Sequence, residues 1–432
     1  MAVKRPPALV PLSQITSEQL DSYSSWARIV DDKGRYLPWD EFQFRIKKGQ
    51  NATLAWSFTR RARNAAMQFL DYTNEHDEQA GFNNTSPMSE VCERVDKYAT
   101  TQALLQQQQR LQATGTLLSQ LQFDEAITSA QLEGANTTTL VAKNMLETGR
   151  KPRTESEQMI VGNARLMSEI LAHLDEPLTP ALIRHFHSVG MAGIDDKKYT
   201  PGHWRETDDI VIADYDGNIV HQPPKAERIP ERLEKVCTWI NTRSGNYIHP
   251  LIRACILHFM IAHEHPFRDG NGRTARALFY WFMLKSGYEA FRYISISSLL
   301  YAASVKYAHS YQYTETDSMD LTYFLEYQMA IVKRALDKFY EHIDAVISRR
   351  ARIDRTLFES GALQRLTQRQ VTLLNIMLGD AGKGFTVAEI AGQLGIADNT
   401  ARSDLKALVR EGVAEERRAN AQQTIYFCLL KL

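Results

Sequence analysis

Apolar residues recur every three or four positions along most of the chain, the spacing of helices that bury one face. That spacing predicts helices at about 124–134, 137–147, 156–173, 179–189, 227–242, 250–264, 273–286 and 319–347. Upstream, Leu104, Leu105, Leu111, Leu117, Leu118 and Leu121 keep the same period. Residues 95–123 therefore read as one long helix, with the glutamines at 106–109 as its solvated face. Arg60, Arg61 and Arg63 fall on a further helix continuing through Met67 and Leu70. The period changes at Ile210–His221, where Ile210, Val211 and Ile212 and then Ile219 and Val220 flank a turn containing Asp216-Gly217. Such a turn between β-branched runs predicts a β-hairpin. Beyond Ile353 the pattern shortens to helices at 370–378, 386–394 and 399–410 and strands at 413–416 and 424–428. The expected fold is mainly α, divided into an N-terminal region (1–95), a central helical bundle with the hairpin (96–350) and a C-terminal domain (351–432).

At 432 residues, this is more chain than one core usually holds. Fifty-one basic residues match fifty-one acidic ones, so no overall field favours nucleic acid or an anionic membrane, and such a preference would need a local patch. The first residues lack the apolar segment of a secretory leader, and no run reaches the ~18 apolar residues of a membrane span, so the expectation is a cytoplasmic protein with no membrane contact. Cys92, Cys237, Cys255 and Cys428 are scattered, without a CxxC pair, and read as packing residues.

The densest chemistry lies at His265-Pro266-Phe267-Arg268-Asp269-Gly270-Asn271-Gly272-Arg273-Thr274-Ala275-Arg276, between two apolar helices. Gly270 and Gly272, with Asn271 between them, allow successive N–H groups to face one side where the next helix begins, a nest for phosphate. Arg273 and Arg276, three apart, can bring both guanidinium forks to one anion, and Asp269 offers a hard oxygen to a phosphate-bound Mg²⁺. His265 has the side chain of a general base near neutral pH, able to prepare a hydroxyl for attack on the α-phosphorus of a nucleotide. Taken singly, each has a plain structural reading as a turn, a cap or a solvated face. Their joint occurrence within twelve residues does not. A zinc-protease reading fails because HExxH needs its histidines four apart, and neither a Walker A loop nor a GxGxxG after a strand occurs here.

This loop, HPFRDGNGRTAR, resembles the Fic family signature HxFx(D/E)GNGRxxR at every signature position. Ser129-Ala130-Gln131-Leu132-Glu133-Gly134 is similar to the family's inhibitory motif (S/T)xxxE(G/N), and 199–205 resembles the segment before its flap. The resemblance covers residues from about 95 to 350. It implies an all-α core with a hairpin flap, ATP and Mg²⁺ as cosubstrate and metal, and AMP transfer to Ser, Thr or Tyr hydroxyls of target proteins or of the chain itself. By the same resemblance His265 is the base, Asp269 the metal ligand, and Gly270, Asn271, Gly272, Arg273 and Arg276 the phosphate site. Phe267 becomes a buried anchor, and Ile210, Val211, Ile212, Ile219 and Val220 hold the target by strand addition. Glu133, on a helix at about 124–135 with Ser129, is expected to pair with Arg276 and exclude the γ-phosphate. Tyr307 and Tyr311 are candidates for base contacts, with core packing as the alternative. AMP removal is not excluded by the motif.

The C-terminal pattern looks like a winged helix-turn-helix. In a DNA-binding version Thr400, Arg402, Ser403 and Lys406 would face the groove, with Arg417 and Arg418 near phosphates. Asp398, Asp404, Glu411, Glu415 and Glu416 dilute the field, leaving DNA and a protein partner, including a second copy of the chain, both open. The rival to an AMP-transferase is an ATP-sensing transcription regulator.

Overall fold

The computed structural model describes residues 3–112, 122–194, 199–213, 217, 219–243, 245–379, 383–418 and 424–430. Two compact units emerge, one from the described parts of Met1–Gln106 and Leu118–Phe339, the other from those of Gln107–Leu117 and Tyr340–Leu432.

The first unit opens with α1 (Ser17–Tyr23), α2 (Trp39–Phe42) and α3 (Ala52–Ala66). Trp26, Phe42, Leu54 and Trp56 form their core. The arginines of α3 find a structural purpose. Arg60 pairs with Asp317 at 2.9 Å, and Arg63 donates to the carbonyls of Ile29 and Leu37 and to the Tyr323 hydroxyl. Buried guanidinium groups need such full sets of acceptors, and these tie residues before 95 into the same unit as the central helices. Met67 ends α3, and Leu70 lies in the hairpin of β1 (Gln68–Thr73) and β2 (Gln79–Phe82), so that helix is shorter than its apolar pattern predicts.

The long helix expected at 95–123 is broken. α4 (Ser86–Tyr98) stops and α5 (Thr101–Gln112) restarts, because the backbone between them is taken by another segment. The Ala99 carbonyl accepts from Ala290 N–H at 3.1 Å, and Thr101 N–H donates to Gly287 at 3.1 Å. Leu117, Leu118 and Leu121 lie outside the described residues.

α6 (Gln122–Leu132), α7 (Thr139–Thr148), α8 (Glu155–Ala172) and α9 (Pro180–Gly190) follow, with side-chain N-caps from Thr138, Thr154 and Thr179 on the last three. The hairpin is smaller than expected. Only β3 (Ile212–Ala213) and β4 (Ile219–His221) pair, with an irregular register of Ile212 to His221 and Ala213 to Ile219. Ile210 and Val211 stay outside the ladder. The chain before them is anchored elsewhere, by Arg205 N–H on the Pro266 carbonyl and Asp208 on Ala226 N–H. Asp214, Tyr215, Asp216 and Asn218 of the expected turn lie outside the described residues.

α10 (Ile229–Asn241), α11 (Pro250–Glu264), α12 (Asn271–Lys285), α13 (Ser297–Tyr301) and α14 (Ser304–Thr316) complete the bundle. α11 and α12 are apolar on almost every face, and nearly every side chain on them is buried, which makes them the central pair. The loop joining them is therefore fixed at both ends.

α15 runs unbroken from Thr322 to Glu359, beyond the end near 347 that the apolar period predicts, and the two units divide within it. The second unit adds α16 (Ala362–Arg365), α17 (Gln368–Gly379), α18 (Val387–Leu394) and α19 (Asp398–Arg410), then the antiparallel pair β5 (Ala414–Arg418) and β6 (Thr424–Cys428). A capping box of Thr386 and Glu389 starts α18, and Gly395 at φ +63° ends it. Asp404 is buried on α19, gripped by Arg369, so its charge is withdrawn from the exposed face that carries Arg402, Ser403 and Lys406. Among the described residues no helix is long and apolar enough to cross a membrane.

Candidate active site

The loop between α11 and α12 is held by side chains whose own partners are backbone groups. Asn271 accepts Phe267 N–H at 2.9 Å and donates to the Phe267 carbonyl at 2.8 Å, closing the turn on itself. Phe267 is fully buried, stacked on the His187 ring with centroids 3.6 Å apart and planes 4° off parallel. His187 takes Gly202 N–H on Nδ1 at 2.9 Å, so Nε2 carries the proton and donates it to the Asp269 carbonyl at 2.9 Å. Gly270 begins α12 at φ +74°, where a Cβ would stand 2.8 Å from Met191 Sδ, so glycine is required there. His265 closes α11 in the left-handed region at φ +45°, its carbonyl accepting Arg205 Nε at 3.0 Å.

Asn271→Ala removes both bonds that close the turn and strands a buried N–H and C=O of Phe267. It should lower stability by about 1–3 kcal/mol. A thermal unfolding midpoint unchanged from wild type would contradict this bracing role.

The first helical bond after Gly270 is Thr274 N–H to its carbonyl, so the N–H groups of Asn271, Gly272 and Arg273 form the open first turn of α12. Two buried guanidinium groups flank it. Arg273 reaches the Gly190 carbonyl at 3.3 Å and Asp269 Oδ2 at 3.4 Å, while its Nε has no hydrogen-bond partner among the described residues. Burial without a full set of acceptors holds its pKa below the usual arginine value. Arg276 is better served: Nε donates to Ser129 Oγ at 2.9 Å, and Nη2 to the Ser129 carbonyl at 3.1 Å and Glu133 Oε1 at 2.8 Å. Glu133 lies one residue past the end of α6, not within it as its spacing suggests, because Gly134 at φ +96° turns the chain there. Its carboxylate rests against Gly272, at the mouth of the open helix turn. Burial pushes this carboxyl up, but the charge and hydrogen bond of Arg276 outweigh it, leaving Glu133 ionised.

A cavity of about 260 Å³ opens beside these groups, lined by Glu133, His265, Gly272 and Arg276 on one side and by Tyr307 and Tyr311 on the other. Ile212 and Val220 of the hairpin reach it; Ile219 is exposed, as is Val211. His265 is half-buried on its wall. Burial and the neighbouring His221 push its imidazole down to about 4, so it is neutral at pH 7. The Asp269 carboxylate is 38% exposed and contacts Arg273, which leaves oxygen available to a small hard cation with few protein ligands. The structure thus brings together His265, Asp269, the glycine turn, both arginines, Ser129 and Glu133. Ile210, Val211 and Ile219 do not join them.

Sequence spacing missed His187, Arg205 and Glu264. The last is wholly buried, paired with Arg232 at 2.7 Å, and braces the end of α11. Arg205 carried the only signal, by lying in the segment before the hairpin. His258 is also buried, bonded through Nε2 to Tyr307 at 2.8 Å, and burial pushes it down to about 3. Unfolded, it takes a proton near pH 6.5, so the unfolded state binds more protons below that value and the fold loses stability as pH falls through this window. The thermal midpoint should fall below about pH 6.5, and less steeply in His258→Gln. Parallel pH profiles for the two proteins would refute the assignment.

A model of the Fic/DOC family matches residues 177–283, the stretch that runs from α9 into the last turn of α12 and includes the hairpin and the loop. The chain carries a Fic domain. It is 29% identical over 173 residues to a protein adenylyltransferase Fic of Drosophila grimshawi, covering 38% of this chain and 34% of that protein. Protein adenylyltransferase fic-1 of Caenorhabditis elegans is 42% identical over 66 residues, 15% of this chain and 13% of its own length. The chain thus spans about a third or less of these curated relatives. A crystal structure of a Fic family protein from Desulfovibrio desulfuricans aligns over 81% of this chain and 98% of its own, with a TM-score of 0.53 at 18% identity, a likeness of fold.

Proposed function

We propose that the chain is a protein adenylyltransferase, moving AMP from ATP to a hydroxyl side chain of a target protein or of itself, and held back by Glu133. The observation that carries this reading is the carboxylate of Glu133 seated against Gly272 and paired with Arg276 at 2.8 Å. An internal anion already fills part of a site whose open N–H groups and guanidinium groups attract anions.

When a triphosphate displaces that carboxylate, Arg276 and Arg273 hold the outgoing phosphates and the N–H groups of α12 face them. Neutral His265 takes the proton of the target hydroxyl. The hydroxyl oxygen bonds to the α-phosphorus, the bond from that phosphorus to the bridging oxygen breaks, and pyrophosphate leaves in the grip of the arginines. Asp269 is the residue that would hold Mg²⁺, which when bound neutralises charge on the phosphates. β3 and β4 present a short edge to which an extended target segment can add, with little side-chain readout. Tyr307 and Tyr311, on the far wall of the cavity, would face the base. The adenylyltransferase names of the relatives agree with this chemistry.

Incubating the chain with ATP labelled at the α-phosphate and Mg²⁺ in a lysate tests the reading, with mass spectrometry of the labelled hydroxyls. Label should survive denaturation on Ser, Thr or Tyr. Label bound but entirely lost on denaturation would instead mark a nucleotide sensor.

A further inference from the structure

His221 on β4, His263 on α11 and Glu315 on α14 meet on the wall of the cavity beside His265, each placing one donor atom within 4.8 Å of the others. The protonation of both rings can be read from their partners. His221 Nε2 lies 2.8 Å from the His263 carbonyl, which only accepts, so Nε2 carries a proton. The other nitrogen, Nδ1, faces Glu315 Oε2 at 2.8 Å. Tyr72 spends its single proton on the Glu264 carboxylate at 2.5 Å, so its oxygen must accept from His263 Nδ1 at 2.9 Å. The lone pair of neutral His263 is therefore on Nε2.

Each imidazole thus donates one N–H to a fixed acceptor, and the other nitrogen of His221 faces the Glu315 carboxylate; such outer hydrogen bonds are how protein sites orient metal-binding histidines. Burial works against a charged His221, but the hydrogen bond and charge of Glu315 outweigh it, so a proton bridges Nδ1 and Glu315 Oε2, and a metal ion would take the place of that proton. We propose that these three residues bind a divalent transition ion of the zinc class, distinct from any ion at Asp269. Two nitrogens and one carboxylate suit that class, and the cavity leaves a fourth position open. Around such an ion the donors stand about 3.3 Å apart. The 2.8 Å contact must open slightly and the wider separations close, which the half-buried Glu315 side chain can accommodate. The bound ion ties the hairpin strand β4 to α11 and α14.

The full chain, stripped with a chelator, is titrated with Co²⁺ as a coloured stand-in for Zn²⁺. One equivalent should produce the strong visible bands of a four-coordinate centre, and Zn²⁺ should discharge them. Glu315→Gln keeps the shape and loses the anionic ligand, and should weaken Zn²⁺ binding at least about 100-fold. Asp269→Asn should keep the bands. Circular dichroism checks that each variant is folded. No nucleotide is present, so the result is independent of AMP transfer. Failure of wild type to give strong bands at saturating Co²⁺, or Zn²⁺ binding to folded Glu315→Gln as tight as wild type, overturns the site.

Discussion

Replacing His265 with alanine will cut transfer of labelled AMP by a factor on the order of 10² to 10⁴, the usual worth of a positioned general base. The backbone gives little reason for a wider effect. His265 sits at φ +45°, which histidine adopts somewhat more readily than alanine, but the loop is fixed by its carbonyl to Arg205 and by Asn271, not by the imidazole. Among the described residues the side chain's one hydrogen bond is a weak one to the Ala262 carbonyl at 3.3 Å. ATP affinity should therefore survive while kcat collapses, the pattern of a group that acts in the transition state. The measurement is best made in a Glu133→Gly background, where the starting rate is higher. Transfer within about tenfold of the parent would remove His265 from the role of base.

Glu133→Gly will raise transfer by roughly ten- to a hundredfold. A charged hydrogen bond of this kind contributes about 1.5–3 kcal/mol, and the triphosphate no longer has to displace it before reaching Arg276. The same change deprives a buried guanidinium of one partner, although Ser129 still supplies two acceptors. The thermal midpoint should fall without nucleotide and recover with ATP and Mg²⁺, further than wild type gains from the same ligand. An activator that left both the midpoint and its nucleotide response unchanged would argue for a cause other than this ion pair. Equal transfer in mutant and wild type would end the inhibitory reading of Glu133.

Much of the helical architecture was legible because helix burial writes a local period into the chain. α11 and α12 are apolar enough that their ends, and the loop between them, could be placed from the sequence. Where another segment claimed the backbone, the period misled. The apolar pattern continues through Ala99 and Thr100, yet contacts with Gly287 and Ala290 divide the helix there. It likewise offered Ile210 and Val211 as strand, while anchors at Arg205 and Asp208 withheld them from the ladder. In the second unit, Asp404 counted as surface charge until its grip by Arg369 and its burial removed it from that tally.

The sequence by itself determined the residues of the phosphate turn, their order and the helices that frame them, because glycine freedom, helix ends and short-range arginine spacing are properties of neighbours in the chain. Only the tertiary structure decided what those residues touch. Glu133 meets Arg276 across 143 positions, and His187 reaches Asp269 across 82. Which nitrogen of a histidine holds its proton, and which carboxylate stays charged, depends on partners brought together by packing. No period along the chain encodes a meeting of that kind.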